Sequence, residues 1–277
     1  MKEFGIDVSR WQGDFNFRQA VSEGVKFAII KGGGGDSGLY VDAKFARNYT
    51  EAKKQGLPVG VYWFSKALTV TDAEREADYF YTQVLQGRQF ELPVYIDVEH
   101  KQQLAVGKRR LTDIVKAWCN RLESRGFWVG VYSSQAFFTS YMYDTELARY
   151  AHWVACWASS CSYPNKDCFG MWQFGGETNK IRTNRVAGVV CDQNYMLTDY
   201  PSAIKAAGLN GFAKSDHGTS AEPKPEPEKP VGKTVDEVAR EGIAGKWGVG
   251  QDRKNRLTNA GYDYNTIQAR VNAILYK

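Results

Sequence analysis

The chain has 277 residues, of which 43% are hydrophobic and 14% aromatic, enough to build a large domain with a real core plus a small second domain. Its formal net charge is +5, and no run of lysine and arginine is dense enough to indicate a nucleic-acid-binding surface. No apolar run approaches the length of a membrane-spanning helix, so we expect no membrane insertion.

The cysteines and the N-terminal residues predict where the chain is made. Five cysteines, an odd number at irregular spacing, are typical of reduced thiols in a protein synthesised in the cytoplasm. No apolar segment follows Lys2, so we predict that there is no signal peptide.

The histidines and glycines argue against three other kinds of site. The three histidines, His100, His152 and His217, are too few and too scattered for a zinc amidase. A Cys–His peptidase would need a cysteine to meet His100 or His152, and structural roles are commoner for such histidines. The run Gly32–Gly35 lacks the Lys-Ser/Thr that completes a phosphate-binding loop. We therefore predict no metal and no other cofactor.

Short apolar segments alternate with amphipathic ones through the first 208 residues. We predict eight strands, at Phe4–Val8, Phe27–Lys31, Val59–Phe64, Val94–Val98, Val129–Ser133, Trp153–Trp157, Gly170–Phe174 and Val189–Asn194. We predict helices at Phe17–Glu23, Ala43–Gln55, Thr71–Leu85, Thr112–Arg125 and Thr145–Tyr150, the third beginning with a capping box, Thr71–Glu74. This alternation favours an α/β fold, a modified (β/α) TIM-like barrel. A doubly wound open sheet is the alternative, because periodicity cannot show closure.

Residues 209–232 differ in composition from the rest of the chain. Proline alternates there with glutamate and lysine, and four of the eight prolines lie between residues 223 and 230. Such a segment is extended and cannot pack a core, so we predict a linker between a domain of residues 1–208 and one of residues 233–277.

Residues 233–277 are predicted to form a three-helix bundle. A capping box, Thr234–Glu237, opens the first helix, and Asp252 and Asp263 can cap the second and third. The unit is near the lower size limit for independent folding.

Four carboxylates coincide with strand ends in the predicted barrel. Asp7 lies on the first strand, Asp97 and Glu99 at the end of the fourth, and Asp192 on the eighth. A closed barrel gathers such residues at its C-terminal mouth, where crowding keeps one acid protonated. Glycoside hydrolysis uses that arrangement, and we predict Glu99 as the acid with the three aspartates anionic. The alternative is a set of solvated strand ends.

Aromatic residues are predicted at the same rim. Flat rings beside carboxylates can stack on sugars, although core filling is an equally common role and strand alternation must turn some of them away. The candidates for substrate binding are Tyr62, Tyr132, Trp157 and Trp172.

Residues 1 to about 205 resemble a known family. The motifs that carry the resemblance are Gly5-Ile6-Asp7-Val8-Ser9-x-Trp11-Gln12-Gly13, Asp42-x-x-Phe45-x-x-Asn48, Asp97-x-Glu99 and Asp192-Gln193-Asn194. They are similar to those of the family 25 glycoside hydrolases, the lysozymes of phages, bacteria and some fungi. The resemblance implies a modified β/α barrel that cleaves the β-1,4 bond between N-acetylmuramic acid and N-acetylglucosamine in peptidoglycan. It also implies Glu99 as proton donor, with Asp7, Asp97 and Asp192 as the other active-site acids.

One segment departs from the family pattern. Lys31 is followed by Gly32–Gly35 and Asp36, where the family often has a carboxylate at the position of Gly34. Either Asp36 reaches in as a substitute, which makes it a candidate for substrate binding, or this part of the site is wider.

Residues 233–277 resemble the small cell-wall-binding repeats of choline-independent phage lysins, through the string from Val235 to Gly248 and its continuation to Tyr264. The resemblance implies binding to the muropeptide of peptidoglycan, for which Trp247 and Arg253 are candidate contacts. Trp247 could equally be core.

Together the two resemblances imply a phage or prophage endolysin, a muramidase made in the host cytoplasm. The predicted lack of a signal peptide fits release through a hole made by another phage protein, but it also fits specialised export. Its partner would be peptidoglycan, with no nucleic acid. The alternatives are a catalytically silent wall-binding protein and a chitinase-like barrel.

Overall fold

The computed structural model of the protein describes residues 2–35, 38–214, 233–247, 253–254, 256–257 and 260–275. These residues form two compact units, which divide between Lys214 and Lys233. No helix in these ranges is long and apolar enough to cross a membrane.

The larger unit is a closed barrel of eight strands. Its elements in chain order are β1 Glu3–Val8, α1 Phe17–Ser22, β2 Phe27–Gly34, β3 Tyr40–Val41, α2 Phe45–Lys54, β4 Val59–Phe64, α3 Val70–Phe80, β5 Val94–Asp97, α4 Lys108–Glu123, β6 Val129–Ser134, α5 Asp144–Leu147, β7 Ala151–Ala155, β8 Phe169–Gly175, β9 Arg185–Val186, β10 Val189–Val190, β11 Asp192–Met196 and α6 Tyr200–Ala207. Around the barrel the order is β1, β2, β4, β5, β6, β7, β8 and β11, which pairs again with β1. This closure confirms the predicted barrel and excludes the open sheet.

The eighth barrel strand, β11, runs against its neighbours. It pairs antiparallel with both β1 and β8, whereas the other barrel pairs are parallel. The expectation that Asp192 ends a strand is therefore wrong, because Asp192 begins β11. A parallel return needs a crossover, usually a helix, and between β8 and β11 the chain forms only the β9–β10 hairpin. Since β11 starts where β8 ends, Asp192 still lies at the mouth.

The inner face of the barrel changes from apolar to polar towards the mouth. Phe27, Ile29, Tyr95, Trp153, Met171 and Met196 belong to the inner core. Because alternate residues of a strand share a face, the next inward positions towards the mouth are Lys31, Asp97 and Gln173, and on the reversed strand Asn194. The barrel interior thus consists of an apolar inner core with a layer of polar side chains directly above it, towards the mouth.

Helices cover the outside of the barrel. On α4 the buried residues include Leu111, Ile114, Val115, Trp118 and Leu122, the spacing of one helix face. Helix α3 begins earlier than the predicted capping box, since its N-cap is Thr69, whose side chain accepts from the backbone nitrogen of Asp72.

Residues 209–212, which the sequence assigned to the linker, pack on the barrel. Asn210 is fully buried; its side chain accepts from Trp128 N at 2.7 Å and donates to the carbonyls of Phe90 and Leu92. Asn210 also has a φ of 55°, a conformation that asparagine tolerates better than most residues. Residues 215–232 of the predicted linker lie outside the described residues.

The smaller unit contains the helices α7 Val235–Ile243 and α8 Tyr264–Leu275. The predicted capping box is confirmed, because Thr234 and Glu237 each accept from the other's backbone nitrogen. Its core comprises Val238, Ala239, Leu257, Ile267 and Val271. Residues 253–254 and 256–257 are helical at the position of the predicted second helix, whereas its predicted cap, Asp252, lies outside the described residues.

Candidate active site

The four predicted carboxylates converge at the mouth of the barrel. Asp7, Asp97, Glu99 and Asp192 all line one cleft of about 350 Å³. Asp7 and Asp192 are direct partners across the β1–β11 pair, while Asp97 ends β5 and Glu99 follows two residues later. The structure therefore brings together residues that are up to 185 positions apart in the chain.

The acids differ in their access to solvent. Asp7 and Asp97 are only 6% and 3% exposed, and Asp192 is partly buried. Glu99 lies beyond the end of its strand, so its side chain is exposed to the cleft while the protein surrounds it on the other sides. Of the four, Glu99 is the carboxyl group that a substrate in the cleft would meet first.

Burial raises the pKa of every acid in the cluster, and repulsion from neighbouring carboxylates raises it further for the three aspartates. Desolvation is the largest cause in each case; it raises the pKa of Asp7 to about 6 and that of Asp192 to about 8, and neighbouring carboxylates add to both. Desolvation also raises the pKa of Asp97 well above its usual range and raises that of Glu99, while the ammonium of Lys31 opposes both shifts. The cluster therefore retains protons at neutral pH.

These shifts differ from the expectation that all three aspartates stay anionic. A carboxyl group with a pKa of about 8, such as Asp192, is mostly protonated at pH 7. Asp7 is the aspartate best supported as an anion, because its Oδ2 accepts from Asn194 Nδ2 at 2.8 Å and from Gln173 Nε2 at 3.1 Å. Asp97 has a buried oxygen, Oδ1, with no hydrogen-bond partner among the described residues.

The raised pKa of Asp192 predicts a pH-dependent cost in stability. When the pKa of a carboxyl group is higher in the folded than in the unfolded chain, the folded state binds the proton more tightly. Its contribution to the free energy of unfolding is complete below the unfolded pKa of about 4 and is lost as pH rises through the folded pKa. We expect the melting temperature of Asp192→Asn to exceed that of the parent by a margin that grows as pH rises from 4 to 8. At pH 8 this margin should be about 2–4 °C or more, since 1 kcal/mol corresponds to a shift of that size. Differential scanning calorimetry across this range measures the difference, and a gain that is constant with pH would contradict the shift.

Three of the four predicted aromatic residues lie at the site. Tyr62 lines the cleft, and Tyr132 lies close enough for all four acids to raise the pKa of its phenol further, after the larger effect of burial. Trp157 is 40% exposed at the rim, and both its indole and Oδ1 of Asp192 adjoin Gly176. Trp172 faces the outer layer instead, where it packs against Phe174 and Tyr195.

The alternation along β8 explains why Trp172 points away. Met171 and Gln173 face the barrel interior, so Trp172 between them must face outward, where its Nε1 donates to the carbonyl of Cys156 at 2.8 Å.

Other residues of the site were not predicted as contacts. Trp11, which lines the cleft, is 76% exposed and was visible only as part of the N-terminal motif. Lys31 brings a positive charge close to Asp97 and Glu99. In the sequence, only its position at the end of a predicted strand indicated that it lies at the site. Gln173 is a buried amide that interrupts the otherwise apolar strand β8, and the buried amide Asn194 was visible only as part of the motif Asp192-Gln193-Asn194.

The glycine run at the end of β2 has a packing explanation. A Cβ at Gly33 would lie 2.0 Å from the carbonyl oxygen of Tyr40 on β3, and one at Gly35 would lie 2.4 Å from Oε1 of Glu76. Glu76 is a buried carboxylate of α3 that accepts from Trp63 Nε1 at 3.0 Å. Larger side chains at these two positions would collide with their neighbours. Asp36 lies outside the described residues.

Other clusters in the described residues do not form a competing active site. A larger cavity of about 750 Å³ contains lysine and arginine but no carboxylate or histidine. Cys168 lies 2.9 Å from Nδ1 of His152, but burial raises the pKa of the thiol to about 12 and lowers that of the imidazole to about 4. Both groups are therefore neutral, and the thiol is not activated. In the described parts of the chain no three metal-ligating side chains are placed to hold a metal ion.

The two candidate contacts of the smaller unit take part in its own packing. Trp247 donates from Nε1 to Glu241 at 3.1 Å and meets the ring of Tyr262 edge-on at 5.8 Å. Arg253 donates to the carbonyl oxygen of Gly242 at 2.9 Å.

Comparison with known proteins gives matches for both units. The family model of the glycosyl hydrolases family 25 matches residues 6–182, and that of the CW_7 repeat matches residues 236–275. Lysozyme M1 of Streptomyces globisporus is 29% identical over 205 residues, covering 68% of this chain and 65% of its own. The lysozyme of Streptococcus phage Cp-7 is 25% identical over 232 residues, covering 79% and 56%. The chain thus spans less than two thirds of either relative.

A solved structure shares the barrel. The bacterial lysozyme from Streptomyces coelicolor superposes with a TM-score of 0.61 at 25% identity, covering 76% of this chain and 97% of its own.

Proposed function

The chain belongs to glycosyl hydrolase family 25, and from this premise we propose that it hydrolyses the β-1,4 bond between N-acetylmuramic acid and N-acetylglucosamine in bacterial peptidoglycan. The observation that carries the proposal is the convergence of Asp7, Asp97, Glu99 and Asp192 in one open cleft. Burying several carboxyl groups together destabilises the fold, so such a cluster is expected where the acids have a chemical task. Hydrolysis of a glycosidic bond is such a task, because it requires both a proton donor and an anion.

Glu99 is the proton donor in this proposal. Burial raises its pKa, which enlarges the protonated fraction of the side chain at any given pH, and its exposure to the cleft allows contact with the glycosidic oxygen. As the bond from the anomeric carbon to that oxygen breaks, the proton of Glu99 passes to the leaving sugar. Water then adds to the anomeric carbon, and its proton restores Glu99.

Two of the aspartates assist the reaction at the anomeric carbon, Asp7 through its negative charge and Asp97 as a hydrogen-bond acceptor. Asp7, anchored by two amide donors, supplies the most firmly held negative charge. Asp97 Oδ1, which has no hydrogen-bond partner within the described parts of the chain, is suited to accept a hydrogen bond from an N–H or O–H group of the sugar. Such groups act most strongly when they are fixed in place before the reaction begins.

Aromatic side chains at the rim bind the glycan. Trp11 and Trp157 are large exposed rings, of which Trp11 lines the cleft and Trp157 adjoins Gly176 beside Asp192, and Tyr62 also lines the cleft. Their faces offer apolar surface for the C–H side of a pyranose ring.

For the smaller unit we propose binding to the muropeptide of the wall, with Trp247 and Arg253 as contacts. Its match to the CW_7 repeat supports this role, and linking a binding unit to an enzyme raises the enzyme's local concentration at its polymer. We further propose that the protein is a phage or prophage endolysin that acts on the wall after release from the host cytoplasm.

Removing residues 231–277 tests the targeting role. We expect the fraction that pellets with purified walls to fall about tenfold or more, because avidity from the second site is lost. Hydrolysis of soluble glycan fragments should persist, since all four acids lie in the remaining part. Co-sedimentation with walls and product release from fragments measure the two effects. Unchanged pelleting would remove the targeting role.

The catalytic proposal is tested with two polymers. We expect new reducing ends from purified peptidoglycan and none from chitin at the same protein concentration. Release from chitin alone would indicate a chitinase-like activity, and release from neither polymer would indicate a wall-binding protein without catalysis.

A further inference from the structure

Gln173 joins the rim of the cleft to one of its acids. Its Oε1 accepts from Tyr132 Oη at 2.9 Å and from Trp157 Nε1 at 3.0 Å, while its Nε2 donates to Oδ2 of Asp7 at 3.1 Å. Gln173 is 2% exposed, and it lies on β8, opposite the strand β4 that carries Tyr62. One buried amide therefore touches two predicted sugar-binding residues and a predicted catalytic acid.

The orientation of this amide is determined by its neighbours. An indole Nε1–H can only donate a hydrogen bond, so the atom of Gln173 that faces Trp157 must be the carbonyl oxygen. The amide nitrogen must then face Asp7, where it favours the ionised carboxylate. If the contact with Trp157 were lost, the amide would have less to hold it in this orientation.

A second amide repeats the arrangement on the neighbouring strand. Trp153 Nε1 donates to Oδ1 of Asn194 at 2.8 Å, which directs Asn194 Nδ2 to the same oxygen of Asp7. Trp153 is 1% exposed, whereas Trp157 is 40% exposed. Of the two indoles that orient amides towards Asp7, Trp157 is the one that a ligand at the rim can contact.

We propose that Gln173 is a positioning residue that transmits the placement of Trp157 at the rim to the orientation and charge of Asp7. The proposal rests on the proposed function, because it assigns Asp7 a negative charge during catalysis. A sugar stacked on Trp157 would hold the indole in the position that keeps the amide of Gln173 directed at Asp7. Binding of a sugar at the rim would then be coupled to the ionisation of Asp7 through the side chain of Gln173.

Several other groups act on the charge of Asp7, and the test must hold them constant. The titratable groups near it are Lys31 on β2, Tyr62 on β4, Asp97 and Glu99 on and after β5, Tyr132 on β6, Cys191 just before β11, and Asp192, its direct partner, at the start of β11. The variants below leave all of these in place.

The experiment titrates Asp7 directly in the full-length chain. Aspartate labelled with ¹³C at the carboxyl carbon gives one NMR signal per residue, and Asp7→Asn identifies the signal of Asp7. Gln173→Leu removes the donor to Asp7 at similar volume, and Trp157→Phe keeps an aromatic ring but removes the N–H that orients the amide. We expect the pKa of Asp7 to rise by about one unit in Gln173→Leu and by less in Trp157→Phe.

Gln193→Leu is the matched control. Gln193 is equally buried on the adjacent strand, but its amide donates to the carbonyl of Thr183 at 2.6 Å and to none of the four acids. We expect an unchanged titration of Asp7 in this variant. The acid limb of kcat/KM against pH should move to higher pH in Gln173→Leu and stay in place in Gln193→Leu, which separates positioning from a loss of packing.

The outcomes distinguish this inference from the proposed function. A titration of Asp7 that is the same in Gln173→Leu and the parent overturns the inference, whatever the activity. A parent protein that releases no reducing ends from peptidoglycan overturns the proposed function, while the shift in the titration would still establish the contact from Gln173 to Asp7. If Gln173→Leu does not fold, Trp157→Phe decides, and an unchanged Asp7 in that variant also overturns the inference.

Discussion

Replacing Glu99 with glutamine should lower kcat on peptidoglycan by about 10²–10⁴-fold, the usual contribution of a positioned proton donor. Glutamine keeps the shape of the side chain but carries no proton acidic enough to pass to the leaving sugar. Glu99 is exposed to the cleft, so the substitution should leave the folded state and the binding of wall fragments close to those of the parent. Release of reducing ends and isothermal titration with an oligosaccharide fragment measure the two quantities.

Glu177→Gln is the matched control for this prediction. Glu177 is an exposed glutamate in the segment between β8 and β11, close enough to raise the pKa of Asp192, but it does not line the cleft. We expect its activity to stay near that of the parent. Parent-like activity in Glu99→Gln would remove this residue as the acid, and an equal loss in both variants would indicate a general effect of charge at the mouth.

Asp97→Asn should lose activity and gain stability at the same time. In the proposed function Asp97 is a fixed hydrogen-bond acceptor for the reacting sugar, and loss of one such preorganised group costs about 10²–10³-fold in kcat. Asp97 is 3% exposed, has an oxygen without a partner among the described residues, and has a pKa raised well above its usual range by burial and by Glu99. Removing such a group should raise the free energy of unfolding by about 1–2 kcal/mol at neutral pH. Active-site residues commonly lower the stability of a protein in exchange for activity. The gain should grow as pH rises, because the parent must either hold the proton or bury the charge.

Urea unfolding at several pH values, together with release of reducing ends, measures both effects. Asp113→Asn is the control, since Asp113 is exposed and pairs with Arg109 on the surface of α4 at 2.8 Å. Such surface pairs contribute little, so stability should change by less than about 0.5 kcal/mol and activity should not change. An Asp97→Asn variant with parental kcat would exclude Asp97 from the mechanism. A variant much less stable than the parent would contradict the claim that the buried Asp97 side chain destabilises the fold.

The parts of the fold that depend on local pattern could be predicted from the sequence. The apolar runs at β1 and β5 end in carboxylates, which is enough to place Asp7, Asp97 and Glu99 at strand ends near one mouth. The direction of β11 could not be predicted in this way, because period-two alternation is the same in both directions. Only the missing crossover helix before Asp192 indicates that the strand returns antiparallel.

The site was less predictable than the fold. Whether Trp172 or Gln173 faces inward depends on the phase of β8 relative to the rest of the barrel, and a one-residue change in phase exchanges them. The link from Trp157 through Gln173 to Asp7 joins two segments about 150 residues or more apart, and no local pattern contains it. The protonation of Asp192 likewise depends first on its burial at the mouth and then on the proximity of Asp7 and Glu99, and both follow from closure of the barrel.

The central claim is most directly tested by the identity of the new chain end. Peptidoglycan digested with the protein is reduced with borohydride, and the soluble products are analysed by mass spectrometry, with Glu99→Gln as the blank. The account predicts muropeptides that end in reduced N-acetylmuramic acid in the parent digest and not in the blank. Products that end in reduced N-acetylglucosamine, or that differ only by cleaved amide bonds, would contradict it.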